Sequence, residues 1–449
     1  MRTYPRSKEI LEWNRRFIPG GMFSLNRATD PAPVFCRAKG AVLWDEDGNG
    51  YIDYHGAFAP FLLGHNDPGV NAAVNQVLRN ESSLFGINTT RQEGELAELM
   101  CESIPFADLV CVLNTGSEAT YEAIRAARAY TGRDHIVVMQ GGYNGWHNDV
   151  ACNLMTPLEL IGPRRSPGEY PFIPLGAGIP ELHRALVHPV NFNDLDSIKY
   201  VADRYPVAAV ITEPILQNIG VIKPQPGYLE GLRELANECG FVLIFDEVKT
   251  GFRHALGGYA EICGVCPDMA VYGKAMANGY PIAAIAGRRE LMELFNHPDP
   301  ARRVLLAGTY NGHPVPVAAA IATIRALCAG RGQIYSRLEH LGQRFENGFA
   351  SIAAQYKDSI AVTLVRQGSA FCVYFMDHAP VDWHDIAAHH DFQADLRMRR
   401  AMIDRGVFLF PIATKQCSIS ASHTEEMIDE TLSLLGECLS ELVAQSAIS

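Results

Sequence analysis

Between residues 76 and 325, short apolar runs alternate with helical patterns, and several of the runs end in a charged residue. Phe241-Val242-Leu243-Ile244-Phe245 leads into Asp246-Glu247, Met269-Ala270-Val271-Tyr272 into Gly273-Lys274, and Val207-Ala208-Ala209-Val210-Ile211 into Thr212-Glu213-Pro214. Runs this short, with no polar alternation, read as strands covered on both faces. Their alternation with helices predicts an α/β fold with a mostly parallel sheet wrapped by helices. In such sheets ligands bind beyond the carboxyl ends of the strands. A carboxylate or ammonium there is costly to desolvate unless something pairs with it.

Asp246 and Lys274, at the ends of two such strands, suit two arrangements. One is a buried salt bridge. The other is a pyridoxal phosphate site, where the lysine forms the imine to the cofactor and the acid keeps the pyridinium nitrogen protonated. A fourth run, Leu109 to Leu113, leads into Asn114-Thr115-Gly116-Ser117-Glu118 and an Ala-rich helical pattern from Tyr121 to Tyr130, stopped by Gly132. Small residues at a strand-to-helix turn leave N–H groups at the positive end of the helix dipole, which is an anion site. The plainer reading of the same turn is a helix cap on Thr115 or Ser117. Beside Asp246 and Lys274, a phosphate cradle is the stronger reading.

Five motifs in order carry a family resemblance. They are Thr115-Gly116-Ser117-Glu118-Ala119, Gly142-Tyr143-Asn144-Gly145-Trp146-His147, Glu213-Pro214, the stretch from Phe245 to Arg253 and Gly273-Lys274; the run Gly308-Thr309-Tyr310-Asn311-Gly312-His313-Pro314 belongs to the same set. Together they resemble the class III aminotransferases, nearest in look to glutamate-1-semialdehyde aminomutase and related β-amino acid aminotransferases. The resemblance runs from Pro19-Gly20-Gly21 to Ser422-His423-Thr424-Glu425-Glu426. It implies a fold-type I transferase with a large cofactor domain over 76–325, a small α+β domain over 326–449, and an N-terminal segment, 1–75, packing with the small domain.

The resemblance also implies roles. Lys274 carries the cofactor, pyridoxal 5'-phosphate, and moves the proton between substrate carbon and cofactor; Asp246 pairs with the ring nitrogen. Asn218 hydrogen-bonds the phenolic oxygen, Tyr143 and Val248 stack on the two ring faces, and Gly116 and Ser117 hold the phosphate. Thr309 reaches the phosphate from the neighbouring subunit, so a homodimer with shared active sites is expected. Glu213 lies toward the substrate. The spacing from Pro19-Gly20-Gly21 to Arg27 matches relatives in which this arginine holds the substrate carboxylate, a task that suits its planar fork.

The expected reaction is transfer of an amino group between a carboxylate-bearing amino acid and a 2-oxo acid. Phe410 to Ser418 lacks the flipping arginine of many ω-transaminases, which points to an amino acid donor. Departures from the aminomutases support transfer between molecules. Ala275-Met276-Ala277-Asn278-Gly279-Tyr280-Pro281 follows Lys274 where they usually show Val-Ile-Gly-Gly-Gly-Leu-Pro, Lys249 stands where methionine is common, and Ala151 to Ala185 differs from their gating loop. An aminomutase, a fold-type I lyase or decarboxylase, and a non-catalytic cofactor-binding protein are the alternatives. Phe23, Phe58 and Phe61 are candidates to line a side-chain pocket.

Composition narrows the rest. A formal net charge of −12 with no basic tract argues against nucleic acid as a partner. No run approaches the ~20 apolar residues of a membrane span, and the amino terminus has no signal-like stretch. Eleven cysteines, mostly inside apolar segments, read as reduced, which suggests the cytoplasm. Cys263-Gly264-Val265-Cys266 has redox or zinc spacing without a second pair, and His384 with His389-His390 reads as a solvated helix face rather than a metal site. The Pro- and Gly-rich stretch from Ala151 to Ala185 reads as a functional or mobile loop.

Overall fold

The computed structural model describes residues 2–446, which divide into two units. One comprises Pro68–Tyr335 with Pro380–His389, the other Met1–Asp67, Ser336–Ala379 and His390–Ser449.

The first unit is built on a seven-stranded sheet. In spatial order its strands are Leu109–Leu113, Ala283–Gly287, Met269–Tyr272, Val242–Asp246, Val207–Thr212, His135–Met139 and Val187–Val190. Every neighbouring pair is parallel except the two made by Ala283–Gly287, which runs antiparallel to both its partners. Every residue of the four strands Val207–Thr212, Val242–Asp246, Met269–Tyr272 and Ala283–Gly287 is buried, as their unbroken apolar sequences require. Gly116–Thr131 packs on the sheet with Ala119, Ala123, Ile124 and Ala127, and the three alanines let the helix approach closely. Pro314–Cys328 is apolar nearly all round and correspondingly buried on most of its surface, packed against Pro68–Arg79 and Arg91–Ser103.

The second unit holds two small sheets. Phe35–Lys39, Val42–Asp45 and Gly50–Asp53 form an antiparallel meander, with Val407–Phe408 added in parallel. The hairpin turn through Asp47-Gly48-Asn49-Gly50 is organised by Asp45. Its carboxylate accepts hydrogen bonds from the Asp47 and Asn49 N–H groups (3.1 and 2.8 Å) and from the Tyr51 hydroxyl (2.7 Å). Thr363–Gln367, Ala370–Tyr374 and Cys417–Ser418 form the other sheet, antiparallel throughout. Among the described residues no single helix is long and apolar enough to cross a membrane.

Two expectations change. The histidines are not a solvated face: only His389 is exposed. His384 Nε2 meets the Gly162 carbonyl at 2.9 Å, and His390 accepts the Phe375 N–H at 3.1 Å beside Asp395. Of the two readings of the loop between Ala151 and Ala185, functional or mobile, its contacts oppose the second. Asn153, fully buried with φ of 47°, donates to the Pro171 carbonyl and accepts from the Ile173 N–H. Arg164 pairs with Asp382, and the Trp383 indole donates to the Thr156 carbonyl at 2.7 Å.

Candidate active site

Sheet register brings the charged residues together. Asp246, the last residue of its strand, pairs with Val271, and Thr212 pairs with Phe245. Three adjacent parallel strands therefore end at one edge, one of them on Asp246 itself, with Glu213 and Lys274 in the turns just beyond the other two. The structure thus joins the three residues that the apolar runs singled out.

Asp246 is 3% exposed. The Asn144 side-chain amide donates to its Oδ2 at 2.9 Å, and the Val248 N–H donates to its Oδ1 at 3.0 Å. Burial pushes its pKa up to about 6, with Glu213 adding to the shift; the two hydrogen bonds and the Lys274 charge oppose it. Lys274 is half-buried, and its backbone holds φ at 46°, the left-handed region that a lysine rarely adopts. Desolvation lowers its pKa, against the pull of Asp246 and Glu213. Glu213, fully buried, accepts the N–H groups of Tyr143 (3.0 Å) and Gln217 (2.9 Å), so it braces two turns from inside. Glu247, next to Asp246, has a separate job. It accepts the Tyr259 and Ala260 N–H groups at 3.0 Å and anchors the start of Tyr259–Cys263.

The helix Gly116–Thr131 begins in a capping box. Thr115 Oγ1 accepts the Glu118 N–H, and the Glu118 carboxylate accepts those of Thr115 and Asn114. The cap leaves the Gly116 and Ser117 N–H groups at the open end of the helix, without intrahelical acceptors. Close packing explains the small residues. A Cβ on Gly116 would lie 3.1 Å from both Val248 γ-carbons, and one on Gly145, where φ is 129°, would lie 2.9 Å from Ser117 Oγ. The Gly142-to-His147 turn lies over the helix start, with the Trp146 N–H donating to Ser117 Oγ at 3.2 Å and the Thr120 hydroxyl to the Asn144 carbonyl at 2.6 Å.

Tyr143, Asn218 and Val248 are half-buried in turns of this same unit. Thr309 is exposed, in a segment pinned to the helix start by the Asn114 amide, which donates to Asn311 Oδ1 at 2.9 Å. Arg27 belongs to the other unit, exposed at the end of a single turn, Leu25–Arg27. In that unit Phe23 is exposed, Phe58 packs on His55 and Phe410, and Phe61 lies on His65. Asn144 is the contact that sequence reasoning missed. It stood inside a quoted motif, yet only the fold shows which carboxylate it meets. Cys263 bonds the Ala260 carbonyl and burial pushes its thiol up to about 11, which is no redox poise.

Residues 24–439 match the family described as Aminotransferase class-III. Glutamate-1-semialdehyde 2,1-aminomutase 2 of Brevibacillus brevis is 37% identical over 433 residues, covering 95% of this chain and 96% of that one. An omega-transaminase from Sphaerobacter thermophilus shares the fold with a TM-score of 0.89 at 28% identity, covering 97% of each chain. A glutamate-1-semialdehyde aminomutase from Pseudomonas aeruginosa, solved in complex with PMP, gives a TM-score of 0.85 at 25% identity, covering 98% of this chain and 95% of the other.

The residues fit the cofactor. Asp246 presents a buried carboxylate whose two oxygens each retain capacity for a further hydrogen bond, as a ring N–H⁺ requires. The glycine-lined helix start suits a phosphate, and Lys274 is a desolvated amine within electrostatic reach of Asp246. With a parallel sheet that ends in this acid–lysine pair, and with family motifs along nearly its whole length, the chain belongs to the class III aminotransferases, fold-type I enzymes of pyridoxal 5'-phosphate.

Proposed function

We propose that the protein is an intermolecular aminotransferase, moving an amino group from a carboxylate-bearing amino acid to a 2-oxo acid by a ping-pong mechanism. The observation that carries this reading is the segment after Lys274. There Ala275, Met276 and Ala277 are buried in a tight turn, in place of the Val-Ile-Gly-Gly-Gly run usual in the aminomutases.

When bound, the cofactor supplies an attachment point for the amine and an electron sink for the carbanion. The chain's own residues do the rest. Lys274 Nζ, whose proton affinity desolvation lowers, would take the proton from the substrate carbon and return it. Asp246 would hold a proton on the ring nitrogen, and Asn144 and the Val248 N–H fix the carboxylate's orientation. Gly116 and Ser117 would hold the phosphate, and Tyr143, Val248 and Asn218 would hold the ring and its phenolic oxygen. Glu213 keeps the Tyr143 and Gln217 turns in place. Arg27 reads the substrate carboxylate, and Thr309 serves the phosphate of the partner in a homodimer.

The second reading, an aminomutase, is supported by the name of the Brevibacillus brevis relative. The two separate in one assay. Amino acid donors are offered with pyruvate or 2-oxoglutarate, and glutamate 1-semialdehyde is offered alone. Transfer to the added acceptor supports the first reading. Rearrangement of the semialdehyde without acceptor, and no transfer, replaces it with the second. Release of carbon dioxide from the donor defeats both.

A further inference from the structure

Lys249 is 6% exposed, in the turn after Val242–Asp246. Its Nζ donates to the Gln217 carbonyl at 2.9 Å, in the turn after the neighbouring strand Val207–Thr212. Gln217 is fully buried and held from two further sides. Its N–H donates to Glu213 Oε2 at 2.9 Å, and its side-chain amide meets the His254 ring at 2.6 Å. Burial keeps His254 neutral, its pKa pulled down to about 3 with Arg253 and Lys223 adding to the shift. A buried ammonium is costly to desolvate, and an apolar chain of similar length would fill the same space without that cost. Buried polar chains of this kind fix geometry rather than add stability.

What Lys249 fixes is the register of two turns. One carries Asp246 and Val248; the other carries Glu213 and, directly after Gln217, Asn218. We propose that Lys249 is a positioning residue of the cofactor site, locking these two turns together, with Gln217 and His254 as the far end of the lock. The proposal rests on the cofactor site described above, and is independent of whether the reaction is transfer or rearrangement. Without the ammonium the Gln217–Asn218 peptide loses the donor that orients it. Asn218 then shifts relative to Asp246, and the protonation of the bound cofactor changes with it.

The test uses the purified holoprotein. Lys249→Met should move the pH midpoint of the cofactor's absorption band by about half a unit or more. It should also weaken cofactor binding by roughly tenfold, the order of effect that supporting contacts have on a bound group. Lys249→Arg, which keeps a cation of similar reach, should recover most of both. The surrounding charges Glu213, Asp246, Lys274, Arg253 and Lys223 are unchanged in either variant. A Lys249→Met holoprotein with wild-type midpoint and affinity overturns the proposal, even if its Tm falls, because that pattern is support of the fold alone. Should Lys249→Met fail to fold, His254→Leu cuts the same chain from the other side, and unchanged readouts there overturn it equally. Borohydride reduction of the wild type separates a deeper failure: a label away from Lys274 sinks the cofactor site itself.

Discussion

At the scale of single residues, Asp246 and Lys274 have separate parts in the proposed reaction, and each makes a distinct expectation. Lys274→Ala should bind the cofactor through the helix start and Asp246, yet borohydride should no longer attach it covalently. In the wild type the label should map to Lys274; a label on Lys249 or Lys223 would refute the assignment. Asp246→Asn should keep the cofactor but lose turnover by about 10²-fold or more, since aimed charge stabilisation of this kind contributes ~3 kcal/mol to a barrier. The same variant should gain stability when cofactor-free. The folded pKa of Asp246, about 6, lies above its ordinary 3.8, so burial favours the protonated form. The cost is therefore absent below about pH 4, grows through about pH 6, and stays constant above. A shift of this size corresponds to roughly 2–3 kcal/mol before any change in the Asn144 contact. Cofactor-free Asp246→Asn should thus melt above cofactor-free wild type at pH 8, with the gap closing near pH 4. A gap that is absent at pH 8, or that widens in acid, would show that Asp246 carries no burial strain.

At the scale of elements, much was legible because strand burial and motif order are local. The runs ending at Asp246, Lys274 and Glu213 read as buried strands, and the sheet brings their ends together. The helix read from Tyr121 to Tyr130 starts earlier, at Gly116, because the Thr115–Glu118 capping box satisfies its first turn. What stayed illegible depends on partners far along the chain. His384 is buried because a carbonyl 222 residues away receives it, and the loop after Ala151 is held by Asp382 and Trp383, 218 and 227 residues from the groups they bind. Proline and glycine content describes a loop's local freedom and says nothing of such ties. Gly145 offers the sharpest test at this scale. Its φ of 129° excludes most side chains, and a Cβ there would meet Ser117. Gly145→Ala should lift the turn from the helix start, break the Trp146-to-Ser117 bond and weaken cofactor binding by about tenfold or more, for strain of ~1–3 kcal/mol. An unchanged Kd for the cofactor would mean that this close approach does not shape the phosphate site.

At the scale of the whole molecule, the chemistry assigned to Lys274 and the recognition assigned to Arg27 lie in different units. Comparison of donors tests the part proposed for Arg27. A desolvated bidentate contact between guanidinium and carboxylate contributes on the order of 2–4 kcal/mol, counting the cost of leaving either charge unpaired. Arg27→Ala should therefore lower kcat/KM toward an amino acid donor by roughly 10²-fold or more, and leave weak activity toward a carboxylate-free amine nearly unchanged. Arg27→Lys should recover only part of the loss, because an ammonium cannot reproduce the planar fork. The exposure of Arg27 gives the comparison its force: it closes a single turn and supports no packed core, so its removal should leave Tm nearly unchanged. Equal losses for both donor types would assign Arg27 to the support of its own segment, and the carboxylate would then need another reader. A wild type that prefers simple amines outright would remove the amino acid assignment, while leaving Lys274, Asp246 and the helix start as the centre of the chemistry.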